Sequence, residues 1–123
     1  MAIKVIVYDD NKDRRESLKI LINIQPEMAC TGIFKDCLNV WNDIVNNQPD
    51  VILMDIDMPD MSGIEGVKMI RKQYPDVKII MQTVFDDTDK IFAAIEVGAD
   101  GYFLKTTATA KIVEGIKEVM EGG

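Results

Sequence analysis

Short apolar, β-branched runs alternate along the chain with segments whose apolar residues recur at helical spacing. Ile3 to Tyr8 (Ile-Lys-Val-Ile-Val-Tyr) reads as a strand that stops at Asp9-Asp10-Asn11. Leu18, Leu21, Ile22 and Gln25 then share one helical face, and Pro26 ends it. Met28 to Phe34 predicts a second strand. Leu38, Trp41, Ile44 and Val45 predict a helix before Gln48-Pro49. Val51 to Met54 is a continuous apolar run, which suits a strand covered on both faces. Ile64, Val67, Ile70 and Tyr74 mark the third helix, stopped by Pro75, and Val77 to Met81 the fourth strand. Ile91, Ala94 and Ile95 mark a helix ended by Gly98, and Tyr102 to Leu104 a short strand. Ile112, Ile116, Val119 and Met120 give the last helical stripe.

Five strand–helix units in strict alternation predict an α/β fold with a parallel sheet, helices on both faces and right-handed crossovers. Ligands of such sheets gather at the carboxyl ends of the strands. Five polar residues fall there: Asp9 and Asp10 after the first strand, Asp55 after the third, Thr83 after the fourth and Lys105 after the fifth.

Composition narrows what that rim can do. A chain of 123 residues has room for one domain. Its net charge of −7 argues against holding nucleic acid or an anionic membrane with the overall field. The absence of His removes Ser-His-Asp triads, Cys-His dyads and His-ligated zinc. Cys30 and Cys37 lack CxxC spacing and read as reduced thiols. No basic leader or cleavage site precedes the first strand, and no apolar run approaches a bilayer's span, so a soluble cytoplasmic protein is expected.

Carboxylates brought together raise one another's pKa unless a cation sits among them. Oxygen ligands without His or Cys favour Mg²⁺ or Ca²⁺, and Mg²⁺ suits one or two carboxylates with waters and phosphate oxygens. Lys105 offers a point charge for an anion and Thr83 a hydroxyl donor. A cation, an ammonium and a hydroxyl around one Asp form the setting for in-line attack on a phosphoryl group, with the Asp as nucleophile.

At these residues the sequence resembles the receiver domain of two-component response regulators. The matching pieces are Val7-Tyr8-Asp9-Asp10, Leu53-Met54-Asp55-Ile56-Asp57-Met58-Pro59, Met61-Ser62-Gly63, Thr83 and Gly98-Ala99-Asp100-Gly101-Tyr102-Phe103-Leu104-Lys105. The resemblance spans residues 1–123 and implies a doubly wound, flavodoxin-like (βα)5 sandwich with strand order 2-1-3-4-5. It implies that Asp55 is the phosphoacceptor and that Mg²⁺ is held by Asp55, by Asp10 directly, by Asp9 through water and by the Asp57 backbone carbonyl. Lys105 would contact the phosphoryl group, Thr83 would be the hydroxyl switch, and Tyr102 the aromatic that turns inward with it. The domain would not be an enzyme acting on others; it would catalyse only its own phosphorylation and autodephosphorylation. The implied donor is the phosphohistidine of a sensor histidine kinase, and phosphorylation often brings homodimerisation.

Val84-Phe85-Asp86-Asp87 and Gly101 to Lys105 look like the subfamily with a LuxR-type helix-turn-helix output. Such an output domain, which would bind DNA, is absent from these residues, and the chain stops at Glu121-Gly122-Gly123, where a linker is expected to begin. Three positions depart from the pattern or tune it. Thr106 stands where many receivers have Pro, Val84 is expected to narrow access to the phosphoryl group, and Phe85 is expected to exclude water from it.

Blander readings accompany each residue. Asp9-Asp10 alone would be a strand stop and helix cap, Asp55 a turn residue, Lys105 a solvated lysine and Tyr102 core packing. Asp86, Asp87 and Asp89 read as cap and first-turn acids. Arg14 and Arg15 read as a solvated face, Trp41 as packing, and the Met residues as core filler. Two rival functions use the same residues. Asp55-Ile56-Asp57 resembles the Asp-x-Asp pair of haloacid dehalogenase-type phosphatases, although there that strand comes first in the chain. A flavodoxin-type flavin module would need a hydroxyl- and Gly-rich phosphate loop, where this chain has Asp9-Asp10-Asn11-Lys12-Asp13.

Overall fold

The computed structural model describes residues 2–84, 86 and 88–122. Strands β1 (Ile3–Tyr8), β2 (Met28–Phe34), β3 (Val51–Asp55), β4 (Lys78–Thr83) and β5 (Gly101–Leu104) alternate with helices α1 (Lys12–Asn23), α2 (Val40–Asn47), α3 (Gly63–Gln73), α4 (Thr88–Glu96) and α5 (Thr109–Met120). All strand pairs are parallel and the order is β2-β1-β3-β4-β5. The doubly wound α/β sheet expected from the sequence is present.

Alternation along each strand divides the core into two layers. Ile6, Tyr8, Ile52, Met54, Ile79 and Met81 face Val40 and Ile44 of α2, Val67 and Ile70 of α3, and Ala94 of α4. Val5, Val7, Val51, Leu53 and Ile80 face Leu18 and Ile22 of α1 and Ile112, Val113, Ile116 and Val119 of α5. Every residue of β3 is buried, as its unbroken apolar run requires. Each fully buried Ile or Leu contributes about 1.5–3 kcal/mol.

Local signals fix the helix starts. The Asn11 side chain accepts from the Arg14 amide at 2.9 Å and caps α1. Ser62 caps α3 through the Glu65 amide. At Gly63 a Cβ would lie 2.0 Å from the Asp55 carbonyl oxygen, so only glycine lets α3 start against the end of β3. Trp41 packs on α2 and donates to the Met69 carbonyl at 2.8 Å, which agrees with a packing role. Leu38, Val45 and Ile95, placed on buried stripes by their spacing, are exposed. Leu38 precedes α2, and Val40 and Ile44 make that helix's core contact. Cys30 and Cys37 are free thiols, and burial pushes the Cys37 thiol up to about 12. Among the described residues no helix is long and apolar enough to cross a membrane.

Candidate functional site

Strands β1 and β3 are neighbours, yet the chain leaves β1 toward β2 on one side and passes from β3 toward β4 on the other. That reversal opens a crevice at their carboxyl ends. Asp9 follows β1, Asp55 ends β3, Thr83 ends β4 and Lys105 follows β5. Register keeps them level, with Tyr8 beside Met54, Asp55 beside Gln82, and Thr83 beside Leu104.

The Lys105 Nζ lies 3.1 Å from Asp55 Oδ2 and 3.0 Å from Asp9 Oδ2. Asp9 and Asp55 are buried, whereas Asp10 is exposed at the crevice mouth. The three carboxylates bring oxygens within 4.8 Å of one another. Asp9 Oδ1 accepts from the Asn11 amide at 2.9 Å, and Asp55 Oδ1 from the Asp57 amide at 3.2 Å. Asp9 Oδ2 is buried with ion-pair neighbours but no aligned hydrogen bond. Burial drives the Asp55 pKa up to about 6; Lys105 opposes the rise, and Asp9 and Asp10 add to it. Burial also disfavours the Lys105 charge, but the Asp9 and Asp55 carboxylates outweigh it and raise that pKa. An all-oxygen, carboxylate-rich cluster with a buried, unaligned acceptor fits a hard divalent cation such as Mg²⁺. Asp9, Asp10 and Asp55 are the residues placed to hold one.

The other wall differs in character. Thr83 is buried, and its hydroxyl donates to Asp57 Oδ2 at 3.2 Å. Asp57 Oδ1 pairs with the Lys90 Nζ of α4 at 2.8 Å, and both side chains are 36% exposed. The Asp57 side chain thus points to α4, which leaves its backbone for any role at the crevice. Tyr102 is 45% exposed, so it does not pack in the core. Val84 is exposed as well, and the Lys105–Thr106 peptide is trans. Asp89 lies in the first turn of α4, as expected. Phe85 and Asp87 lie outside the described residues.

One expectation is corrected. Arg14 is not part of a solvated face; its side chain is only 21% exposed and runs into the site. Its Nε lies 3.5 Å from Asp9 Oδ2, one terminal nitrogen donates to the Lys105 carbonyl at 3.2 Å, and the other to Gln82 Oε1. Arg15 donates to the Asp9 carbonyl at 2.9 Å. The helical spacing held the signal: Arg14 lies four residues before Leu18 and eight before Ile22, on the buried stripe of α1. Gln82 was legible in the same way, as the one amide that alternation puts on the Ile80 face of β4. Lys90 carried no such signal.

Residues 5–117 match the response regulator receiver domain. The chain belongs to this family. That membership favours the receiver reading over the rival phosphatase and flavin readings. The chain is 38% identical over 120 residues to the transcriptional regulatory protein LiaR of Bacillus subtilis (strain 168), covering 98% of this chain and 57% of that protein. It is 33% identical over 121 residues to the transcriptional regulatory protein DegU of Brevibacillus brevis, covering 98% and 51%. This receiver therefore spans about half the length of the curated relatives it matches. Among solved structures, the response regulator domain of Thermotoga maritima CheB superposes with a TM-score of 0.89 at 31% identity, covering 98% of both chains. A LuxR-family two-component response regulator from Aurantimonas sp. SI85-9A1 gives 0.93 at 26% identity, covering 99% of this chain and 87% of that one.

Proposed function

We propose that this receiver is a phosphorylation-controlled switch whose phosphoacceptor is Asp55. The observation that carries the proposal is a buried carboxylate at the end of β3, 3.1 Å from the Lys105 ammonium and clustered with two more carboxylates. The donor in this reading is a phosphohistidine on a sensor histidine kinase, and with no His among these 123 residues it lies outside them. One Asp55 oxygen attacks phosphorus in line while the P–N bond to the donor imidazole breaks. The imidazole nitrogen leaves with the bonding electrons, and Asp55 becomes an acyl phosphate.

Asp10, Asp9, Asp55 and the Asp57 carbonyl would hold Mg²⁺, which when bound neutralises charge on the transferring group. Lys105 pairs with a phosphoryl oxygen in place of its present hold on Asp55. The Thr83 hydroxyl leaves Asp57 for the phosphoryl group, and Tyr102 turns into the space it vacates. Differential contacts to the phosphoryl group thereby shift the population toward a second packing of the α4–β5 face. Water attack on the acyl phosphate resets the switch, and this autodephosphorylation is the only hydrolysis assigned to the domain.

Residues 1–123 form the receiver of a longer cytoplasmic regulator in this reading. Its output is transcription through a helix-turn-helix domain outside this chain, and the phosphorylated form dimerises. The names of the relatives, which are transcriptional regulatory proteins, support the output assignment. The test is intact mass after incubation with acetyl phosphate and Mg²⁺. One phosphoryl group on the unsubstituted protein and none on Asp55→Asn is expected; equal labelling of both overturns the assignment.

A further inference from the structure

Arg14 is a charged group in the crevice wall that the phosphoryl-transfer reading leaves without a task. It reaches the site from the first turn of α1 and touches three elements at once. Its partners are Asp9 after β1, Gln82 in β4 and the backbone of Lys105 after β5. Gln82 is fully buried in β4 directly after the apolar run Ile79, Ile80 and Met81, and its Nε2 has no hydrogen-bond partner. A half-satisfied buried amide is unfavourable in a core, and packing alone would favour an apolar residue there. Its Oε1, however, receives the Arg14 guanidinium. Gln82 therefore holds Arg14 from beneath.

The guanidinium is held against a carboxylate oxygen that already has a cation. Asp9 Oδ2 faces the Lys105 Nζ at 3.0 Å and the Arg14 Nε at 3.5 Å. Three clustered carboxylates thus meet two side-chain cations before any metal arrives. An incoming divalent cation must share Asp9 with Arg14 and bear the repulsion of a charge held in a partly desolvated wall.

We propose that Arg14 is a built-in counter-cation that competes with the divalent metal for Asp9. It is a positioning residue, and it biases the pocket away from a lone cation and toward a cation bound with an anion. Without an anion, Arg14 opposes the metal. Once a phosphoryl group adds its negative charge, the same guanidinium favours the loaded pocket. Metal and phosphoryl group then bind as a coupled pair, and the metal alone binds weakly.

This inference rests on the reading of Asp9, Asp10 and Asp55 as the metal site. The test is Mg²⁺ titration followed by amide NMR shifts of the crevice residues, without and then with beryllofluoride. For Arg14→Met, Mg²⁺ alone is expected to bind on the order of tenfold more tightly, and beryllofluoride at saturating Mg²⁺ several-fold more weakly. Arg14→Lys, which keeps the charge, should stay within about threefold of the unsubstituted protein for Mg²⁺. Should Arg14→Met alone fail to fold, Arg14→Met with Gln82→Leu removes the orphaned amide and carries the same expectation. Unchanged Mg²⁺ affinity in the folded variant overturns the competition while leaving the metal site standing. An unsubstituted protein that does not respond to Mg²⁺, like an Asp10→Asn control, overturns the metal site and this inference together.

Discussion

Two part-buried arginines sit at opposite ends of the sheet, and their surroundings differ. Arg71 of α3 lies at the end where β4 and β5 begin. It donates to the Gly98 carbonyl at 3.0 and 2.7 Å and to the carbonyls of Tyr74, Pro75 and Val77, and it pairs with Asp100 at 2.9 Å. Asp100 in turn accepts the Ile79 amide at 2.8 Å. Arg71 meets only acceptors, so it ties two connections to one helix and leaves its partners satisfied. Arg14, at the carboxyl end, shares its carboxylate with a second cation and leaves its own Nε and a buried amide nitrogen without hydrogen bonds. Similar burial thus serves different ends. Arg71 closes a network, whereas Arg14 belongs to one that a further cation and anion would complete.

The largest effect is expected at the incomplete end. Lys105→Met removes the ammonium between Asp9 and Asp55, and acetyl phosphate labelling should slow about a hundredfold, as when one charge-stabilising donor is lost. Its stability at pH 7 should also fall, because Asp9 and Asp55 stay buried without that ammonium, so the loss of labelling is what distinguishes this end. At the satisfied end stability alone responds. Arg71→Met should lower unfolding free energy by about 2–4 kcal/mol in urea, since several carbonyls and Asp100 lose a charged donor. Its Mg²⁺ affinity should not change. A loss of labelling in Arg71→Met without loss of stability would erase the contrast between the two arginines.

Titration gives a smaller effect. Asp55 ionises near pH 6, and a cation needs it ionised. Mg²⁺ affinity should therefore fall about tenfold between pH 7 and pH 5. The linkage to folding has the opposite sense. A carboxyl whose folded pKa is raised from 3.8 to about 6 favours the folded state at low pH, and that advantage is lost as pH rises through 4 to 6. Asp55→Asn should flatten both dependences. The smallest effect is expected at the Lys90–Asp57 pair, which is too exposed to contribute more than about 0.5–1 kcal/mol. Lys90→Met should leave stability within about 0.5 kcal/mol and tighten Mg²⁺ two- to threefold by freeing the Asp57 charge.

The satisfied end and the incomplete end were not equally legible in the sequence. Alternation and strand-end position brought Asp9, Asp55, Thr83 and Lys105 to one rim, because parallel topology forces all carboxyl ends to the same edge. Strand order needed the family resemblance, since periodicity carries no information on which strands pair. Arg14 was hidden because a charged residue in a helix's first turn reads as solvated, although its spacing from Leu18 and Ile22 placed it on the buried stripe. The Lys90–Asp57 pair joins residues 33 apart, and nothing local marks it. Leu38, Val45 and Ile95 show the converse, since spacing predicts a stripe but not how wide a neighbour covers it.

The central claim is that the buried carboxylate of Asp55, and no other acid of the crevice, carries the phosphoryl group. Borohydride reduces an acyl phosphate to the alcohol, so phosphorylated Asp becomes homoserine at the labelled position. Peptide mass spectrometry after acetyl phosphate, Mg²⁺ and borohydride should find homoserine in place of Asp55 alone. Homoserine at Asp9, Asp10 or Asp57 in the unsubstituted protein, with Asp55 intact, would contradict the account.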